Sequence, residues 1–232
     1  MFAQFLKKGD FYDKYMRLYS MRQAMANLEM EDKETDMLSP KRTQEMFNNV
    51  IAFENMLARN PEKISPYDLV DIAEDINTGL YTKGFRKTQV DVRKAKNFFP
   101  PSARELPQRM YSLFDTYHKI WLDLPVYEKE ARFHIELVRL QPFEDGNKRS
   151  TRILTNFNLI KQNKAPVIIS GDQTDEYFGY IDNYDVDGMT NLLKTKSQEE
   201  LDIMLDLYKS INGDSFDEIV EQTSCVKKLI IS

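Results

Sequence analysis

Apolar residues recur at helical spacing along most of the chain, and the polar interruptions between these runs mark where each helix should end. Residues 2–30 spread Phe5, Phe11, Tyr12, Tyr15, Leu18, Tyr19, Met25 and Leu28 over one broad side, and the charged run 29–36 closes that stretch. Ser39-Pro40 then reads as an N-cap followed by a proline in the first turn, opening a helix over 41–59. A third helix over 64–76 starts at Ser65-Pro66 and stops at Asn77-Thr78-Gly79. Beyond it the period changes: Val90 and Val92 alternate with polar residues after Gly84, and Pro100-Pro101 follows, which predicts a short exposed hairpin within 81–99. Helical spacing returns over 105–121, where Pro107 lies in the first turn and costs no hydrogen bond, and again over 130–140 through Phe133, Leu137, Val138 and Leu140.

After an interruption, Ile153, Leu154, Phe157 and Ile160 resume the pattern. An extended connector at 165–169, a helix over 172–184 and further helices over 188–194, 197–210 and 215–230 complete the reading, with Asn212-Gly213 as a stop. The expected fold is mostly α with one short β-hairpin. Its expected organisation is an N-terminal helical extension at 1–40, a central domain at 41–205 and a C-terminal helical segment at 206–232.

The interruption before Ile153 has chemistry the other loops lack. Gln141-Pro142-Phe143-Glu144-Asp145-Gly146-Asn147-Lys148-Arg149-Ser150-Thr151-Arg152 packs a turn, two acids and three cations into twelve residues. Asp145-Gly146-Asn147 is turn chemistry, and Gly146 lets the backbone approach a bound group closely. Amides at the start of the next helix point outward at its positive dipole end, and Lys148, Arg149 and Arg152 add formal charge there, so the terminus suits an anion. Phosphate is the natural ligand, and Asp145 beside a polyphosphate is a hard oxygen donor for Mg²⁺. The plainer alternative is a solvated basic helix start.

This run resembles the signature of Fic-domain proteins, His-x-Phe-x-(Asp/Glu)-Gly-Asn-Gly-Arg-x-x-Arg. Pro142, Phe143, Asp145, Gly146, Asn147, Arg149 and Arg152 stand where that family has them, whereas Gln141 replaces the histidine and Lys148 the second glycine. The resemblance implies a Fic-like domain that transfers AMP from ATP to a protein Ser, Thr or Tyr hydroxyl. It assigns Mg²⁺ to Asp145 and the ATP phosphates to Gly146, Asn147, Lys148, Arg149 and Arg152. Phe178 and Asp185 are the counterparts of the adenine-contacting positions. Gln141 takes the place of the general base, and an amide can only hydrogen-bond where an imidazole would accept a proton, which removes a contribution of roughly 10²–10⁴-fold. His134, seven residues earlier, reads as a structural histidine. The helix over 41–59 resembles the family's inhibitory helix, (Ser/Thr)-x-x-x-Glu-(Gly/Asn), at Glu54-Asn55, with Val50 in place of the hydroxyl residue; the implied partner of Glu54 is Arg152. The 81–99 hairpin corresponds to a flap that aligns a target protein segment by strand addition, and its Arg86, Lys87, Arg93, Lys94 and Lys96 would favour an acidic one. Two rivals stay open: a non-catalytic nucleotide- or partner-binding module, and a Doc-like protein phosphotransferase, since Asn147-Lys148-Arg149 is similar to the Doc motif.

Composition narrows the partners. A net charge of −5 supplies no global basic field for nucleic acid, and no apolar run approaches a membrane span. The two histidines, His118 and His134, have no Cys or carboxylate at metal-ligand spacing, which argues against zinc. The single cysteine, Cys225, agrees with a reducing compartment, and with no long apolar stretch at the start the expected location is the cytoplasm. The oligomeric state leaves no mark on the sequence.

Overall fold

The computed structural model describes residues 10–31, 39–79, 84–92 and 94–212. Helix α1 runs Asp10–Glu31, α2 Pro40–Arg59, α3 Pro66–Ile76 and α4 Leu106–Asp115, the last continued by a single π turn over Thr116–Ile120. Then come α5 Val126–Leu140, α6 Asn147–Lys161, a 3₁₀ turn Gly171–Gln173, α7 Thr174–Asp182 and α8 Val186–Asn212.

The caps read from the sequence are in place. The Ser39 side chain accepts from the Arg42 amide at 3.4 Å with Pro40 opening α2. At α3, Asp68 Oδ2 accepts from the Ser65 amide at 2.7 Å, closing the reciprocal box that satisfies orphan amides.

Helix α6 is the axis of the fold. Every residue from Arg149 to Leu159 is buried, and α2, α3 and α5 pack around it. Several of its polar side chains find partners inside the core. Asn156 brackets Val167, accepting from its amide at 2.7 Å and donating to its carbonyl at 3.0 Å. Helix α5 faces two apolar clusters at once. Phe133, Leu137 and Leu140 join α1–α4 and α6 in one, while Tyr127, Ala131, Ile135 and Val138 join α7 and α8 in the other. Two long-range polar contacts pin α1 to the far end of the chain: Tyr15 donates to Glu200 Oε1 at 3.1 Å, and Arg22 pairs with the same oxygen at 2.8 Å.

Several expectations need correction. No strand occurs in the described residues of the 81–99 segment. The Lys96 and Asn97 amides, which a ladder would need, donate to Asp182 Oδ1 at 2.8 and 2.9 Å, and a lone two-stranded ribbon is marginal in water. The predicted separate helices 188–194 and 197–210 are one element, α8, because nothing between Met189 and Asn212 breaks a helix. The expected boundary at 205/206 falls inside this helix. Helix α5 starts four residues earlier than its apolar pattern suggested, at Val126 after Pro125. The predicted helix over 215–230, with Cys225, lies outside the described residues.

Candidate functional site

The loop between α5 and α6 is built from its own side chains. Helix α5 ends where Gln141 turns left-handed, at φ 46° and ψ 62°. The Gln141 side chain then closes the turn from both ends: Nε2 donates to the Val138 carbonyl at 2.6 Å, and Oε1 accepts from Asn147 Nδ2 at 3.0 Å. Asn147 clamps the other side, its Oδ1 accepting from the Phe143 amide at 2.8 Å and its Nδ2 donating to the Phe143 carbonyl at 2.8 Å. Gly146, at φ 81°, precedes α6, and a Cβ there would stand 3.2 Å from Asn77 Nδ2. The left-handed backbone angle therefore favours glycine, and Asn77 would have to shift slightly for any larger residue.

The motif's cations are held in three different ways. Arg149 is buried and donates from Nη2 to Asp145 Oδ2 at 2.7 Å, while Asp145 keeps 37 % of its side chain exposed. Arg152 is buried too; its Nε donates to Asn27 Oδ1 of α1 at 2.6 Å, and its guanidinium lies 5.7 Å from the centre of the Tyr177 ring. Asn27 is oriented in turn by donating to Asn49 Oδ1 of α2 at 3.2 Å. Lys148 is half-buried and reaches a cavity. The expected Glu54–Arg152 pair is absent. Helix α2 buries Asn48, Asn49, Ala52, Phe53 and Met56, and the helical period turns Glu54 to solvent.

The cavity, about 200 Å³, is lined by Gln141, Lys148, Phe178, Tyr177, Met30 and Lys94 among others. Of the residues predicted to bind, Gln141, Lys148 and Phe178 therefore share one wall space, whereas Asn147, Arg149 and Arg152 are buried and do not line it. Asp185 is exposed and caps α8, its Oδ1 accepting from the Gly188 amide at 2.8 Å. His134 is structural, as expected. It bridges Thr155 Oγ1 at 2.9 Å and the Tyr177 hydroxyl at 2.8 Å, and burial, with Arg152 nearby, lowers its pKa to about 3, so it is neutral at physiological pH.

Three residues at or beside the site escaped sequence reading. Asn27 and Tyr177 hold Arg152, and both lie far from the motif in the chain; an asparagine on an amphipathic helix carries no signal of such a contact. The third, Arg86, was counted among the flap's cations. It is instead buried, and its Nε donates to the Gln141 carbonyl at 2.7 Å. Its signal, an arginine after an aromatic, is too common to have been singled out.

Residues 63–159 match the family model described as the Fic/DOC family. Among curated proteins, the chain is 29% identical over 168 residues to Protein adenylyltransferase Fic of Nematostella vectensis, covering 64% of this chain and 36% of the relative. It is 35% identical over 100 residues to Protein adenylyltransferase Fic of Culex quinquefasciatus, covering 42% of this chain and 19% of the relative. The chain thus spans about a third or less of the length of these relatives. Among solved structures, a Fic domain containing signaling protein from Bacteroides thetaiotaomicron superposes with a TM-score of 0.77 at 19% identity, over 89% of this chain and 95% of that one. Residues 134–508 of Fic-1 from C. elegans superpose with a TM-score of 0.69 at 18% identity, over 88% and 67%. The motif loop, the helical fold and the sequence matches agree that residues 63–159 of this chain are similar to the Fic/DOC family.

Proposed function

We propose that this chain is a Fic-type AMP-transferase whose nucleotide site is retained and whose transfer step is slow at best, because no general base stands at the motif's first position. The observation that carries this reading is the use of both ends of the Gln141 amide within its own loop, on Val138 and Asn147. The reaction joins a target hydroxyl oxygen to the α-phosphorus of ATP, breaks the bond to pyrophosphate and must deliver the hydroxyl proton to an acceptor. An amide is no such acceptor near neutral pH.

The cavity supports the nucleotide assignment. Phe178 and Tyr177 offer ring faces, Lys148 and Lys94 offer ammonium groups, and the amides of the α6 N-terminus lie next to Gly146. Arg149 and Arg152 sit behind this wall and would reach phosphates by local rearrangement. For Mg²⁺, Asp145 is the partly exposed carboxylate of the loop, and no cluster of three or more candidate metal ligands occurs among the described residues. One carboxylate completed by phosphate oxygens and water is the arrangement Mg²⁺ favours, and the ion would neutralise charge on the phosphates. A target segment would run along residues 84–99, where Lys87, Lys94 and Lys96 are exposed. No helix of the described residues is long and apolar enough to cross a membrane, and we take the cytoplasm as the site of action.

The test is transfer of label from α-labelled and γ-labelled ATP to protein targets, by this chain and by Gln141→His. Gln141→His should raise AMP transfer by roughly 10²-fold or more. No gain from α-label would overturn the reading, and transfer of γ-label alone would favour a phosphotransferase built around Lys148.

A further inference from the structure

The geometry points to Arg86 as the positioning residue of the motif loop: one buried guanidinium ties the segment before it, the end of α5 and Pro101 to a single centre. Only its effect on nucleotide binding rests on the reading above. The side chain is 3 % exposed. Nε donates to the Gln141 carbonyl at 2.7 Å, Nη1 to the Thr88 carbonyl at 2.9 Å, and Nη2 to the carbonyls of Pro101 at 2.5 Å and Leu140 at 3.5 Å. Its own amide donates to the Pro142 carbonyl at 2.9 Å. The residue before it contributes as well, for the Phe85 ring stacks on Phe143 of the motif with centroids 6.1 Å apart and planes inclined by 23°.

The chemistry explains why arginine is required. A helix leaves its last carbonyls without intrahelical donors and carries partial negative charge at that end. The left-handed turn at Gln141 presents the Leu140, Gln141 and Pro142 carbonyls to residue 86, and a planar group with five donors answers several of them at once. Lysine, with a compact ammonium, lacks that fork. The loop so fixed carries Gln141, which bridges to Asn147, and Gly146, which precedes α6. Arg86 therefore sets where the α6 amides stand relative to the cavity, and its charge is withdrawn from any target segment.

The test compares the intact chain, Arg86→Ala, Arg86→Lys and Tyr117→Phe, a destabilising control that loses a buried bond to Glu130 at the far end of α5. Two readouts are taken: hydrogen exchange of the Phe143 and Ser150 amides without nucleotide, and calorimetric affinity for Mg²⁺-ATP. Arg86→Ala should speed exchange at both amides and weaken Mg²⁺-ATP, each by about tenfold, as expected for losing hydrogen bonds from a charged group. Arg86→Lys should recover little of either, and it carries the comparison if Arg86→Ala does not fold. Tyr117→Phe should lower the unfolding midpoint with loop exchange and affinity unchanged. Unchanged loop exchange in both Arg86 variants, or equal loosening by Tyr117→Phe, would overturn the assignment. A wild type that binds no Mg²⁺-ATP would defeat the nucleotide reading, while the exchange comparison would still decide the role of Arg86.

Discussion

Gly146, Asn27 and Glu54 show how much a single position can and cannot declare. At Gly146 a turn glycine was legible from Asp145-Gly146-Asn147, and the structure adds Asn77 packed against the place a Cβ would take. Gly146→Ala should cost about 1–3 kcal/mol through its left-handed backbone and this contact, read as a shift in the urea midpoint. Asn27 accepts from a buried arginine, so Asn27→Ala strands Arg152 Nε and should cost about 1–3 kcal/mol in the same measurement. Glu54 faces solvent, so Glu54→Ala should move stability by no more than about 0.5 kcal/mol and leave Mg²⁺-ATP affinity unchanged. A sharp affinity gain on that substitution would restore Glu54 as an inhibitory residue. The motif pattern suggested Glu54 because spacing along one helix was visible, whereas the rotation of that helix about its own axis was not.

Among the elements, the helices with polar caps were the most legible. Ser39-Pro40 and Ser65-Pro66 bracket their helices within a residue or two, because capping is a local contact among residues three apart. The hairpin expected within 81–99 is not found among its described residues, whose order depends on distant groups. Asp182 takes the Lys96 and Asn97 amides, and these two backbone amides on one carboxylate keep the Asp182 carboxyl below its ordinary range. Arg139 completes this latch, donating from Nη1 to the Ile181 and Asp182 carbonyls at 2.9 and 3.2 Å and lying 4.8 Å from the Phe98 ring centre. Arg139→Ala should therefore speed amide exchange at Lys96 and Asn97 by about tenfold or more while leaving Phe143 protected. Equal loosening of both regions would show that the latch and the motif loop open together.

At the scale of the whole molecule, two buried groups titrate in opposite senses. Glu130 accepts from Tyr117, Asn158 and Gln162, and burial raises its pKa to about 7 despite those bonds. Its contribution to stability is full below its unfolded value near 4.5 and is lost as pH rises through 7. His134, lowered to about 3, contributes above its unfolded value near 6.5 and loses that contribution as pH falls. Relative to the wild type, Glu130→Gln should thus gain about 2–3 kcal/mol between pH 5 and pH 8, measured as unfolding free energy at each pH. A difference that stays flat over that range would mean that Glu130 ionises in the folded protein as it does in water.

What the sequence determined by itself is most of the helices, the turn before α6 and the family signature within 141–152, because periodicity, caps and turn chemistry act between residues a few positions apart. The tertiary structure alone decided the motif's long-range partners. Arg152 meets Asn27, 125 residues away, and the carbonyls after α5 meet Arg86, 54 to 55 residues away. Such contacts are fixed by how helices pack around α6, and side-chain partners chosen by packing leave no local trace in the order of residues.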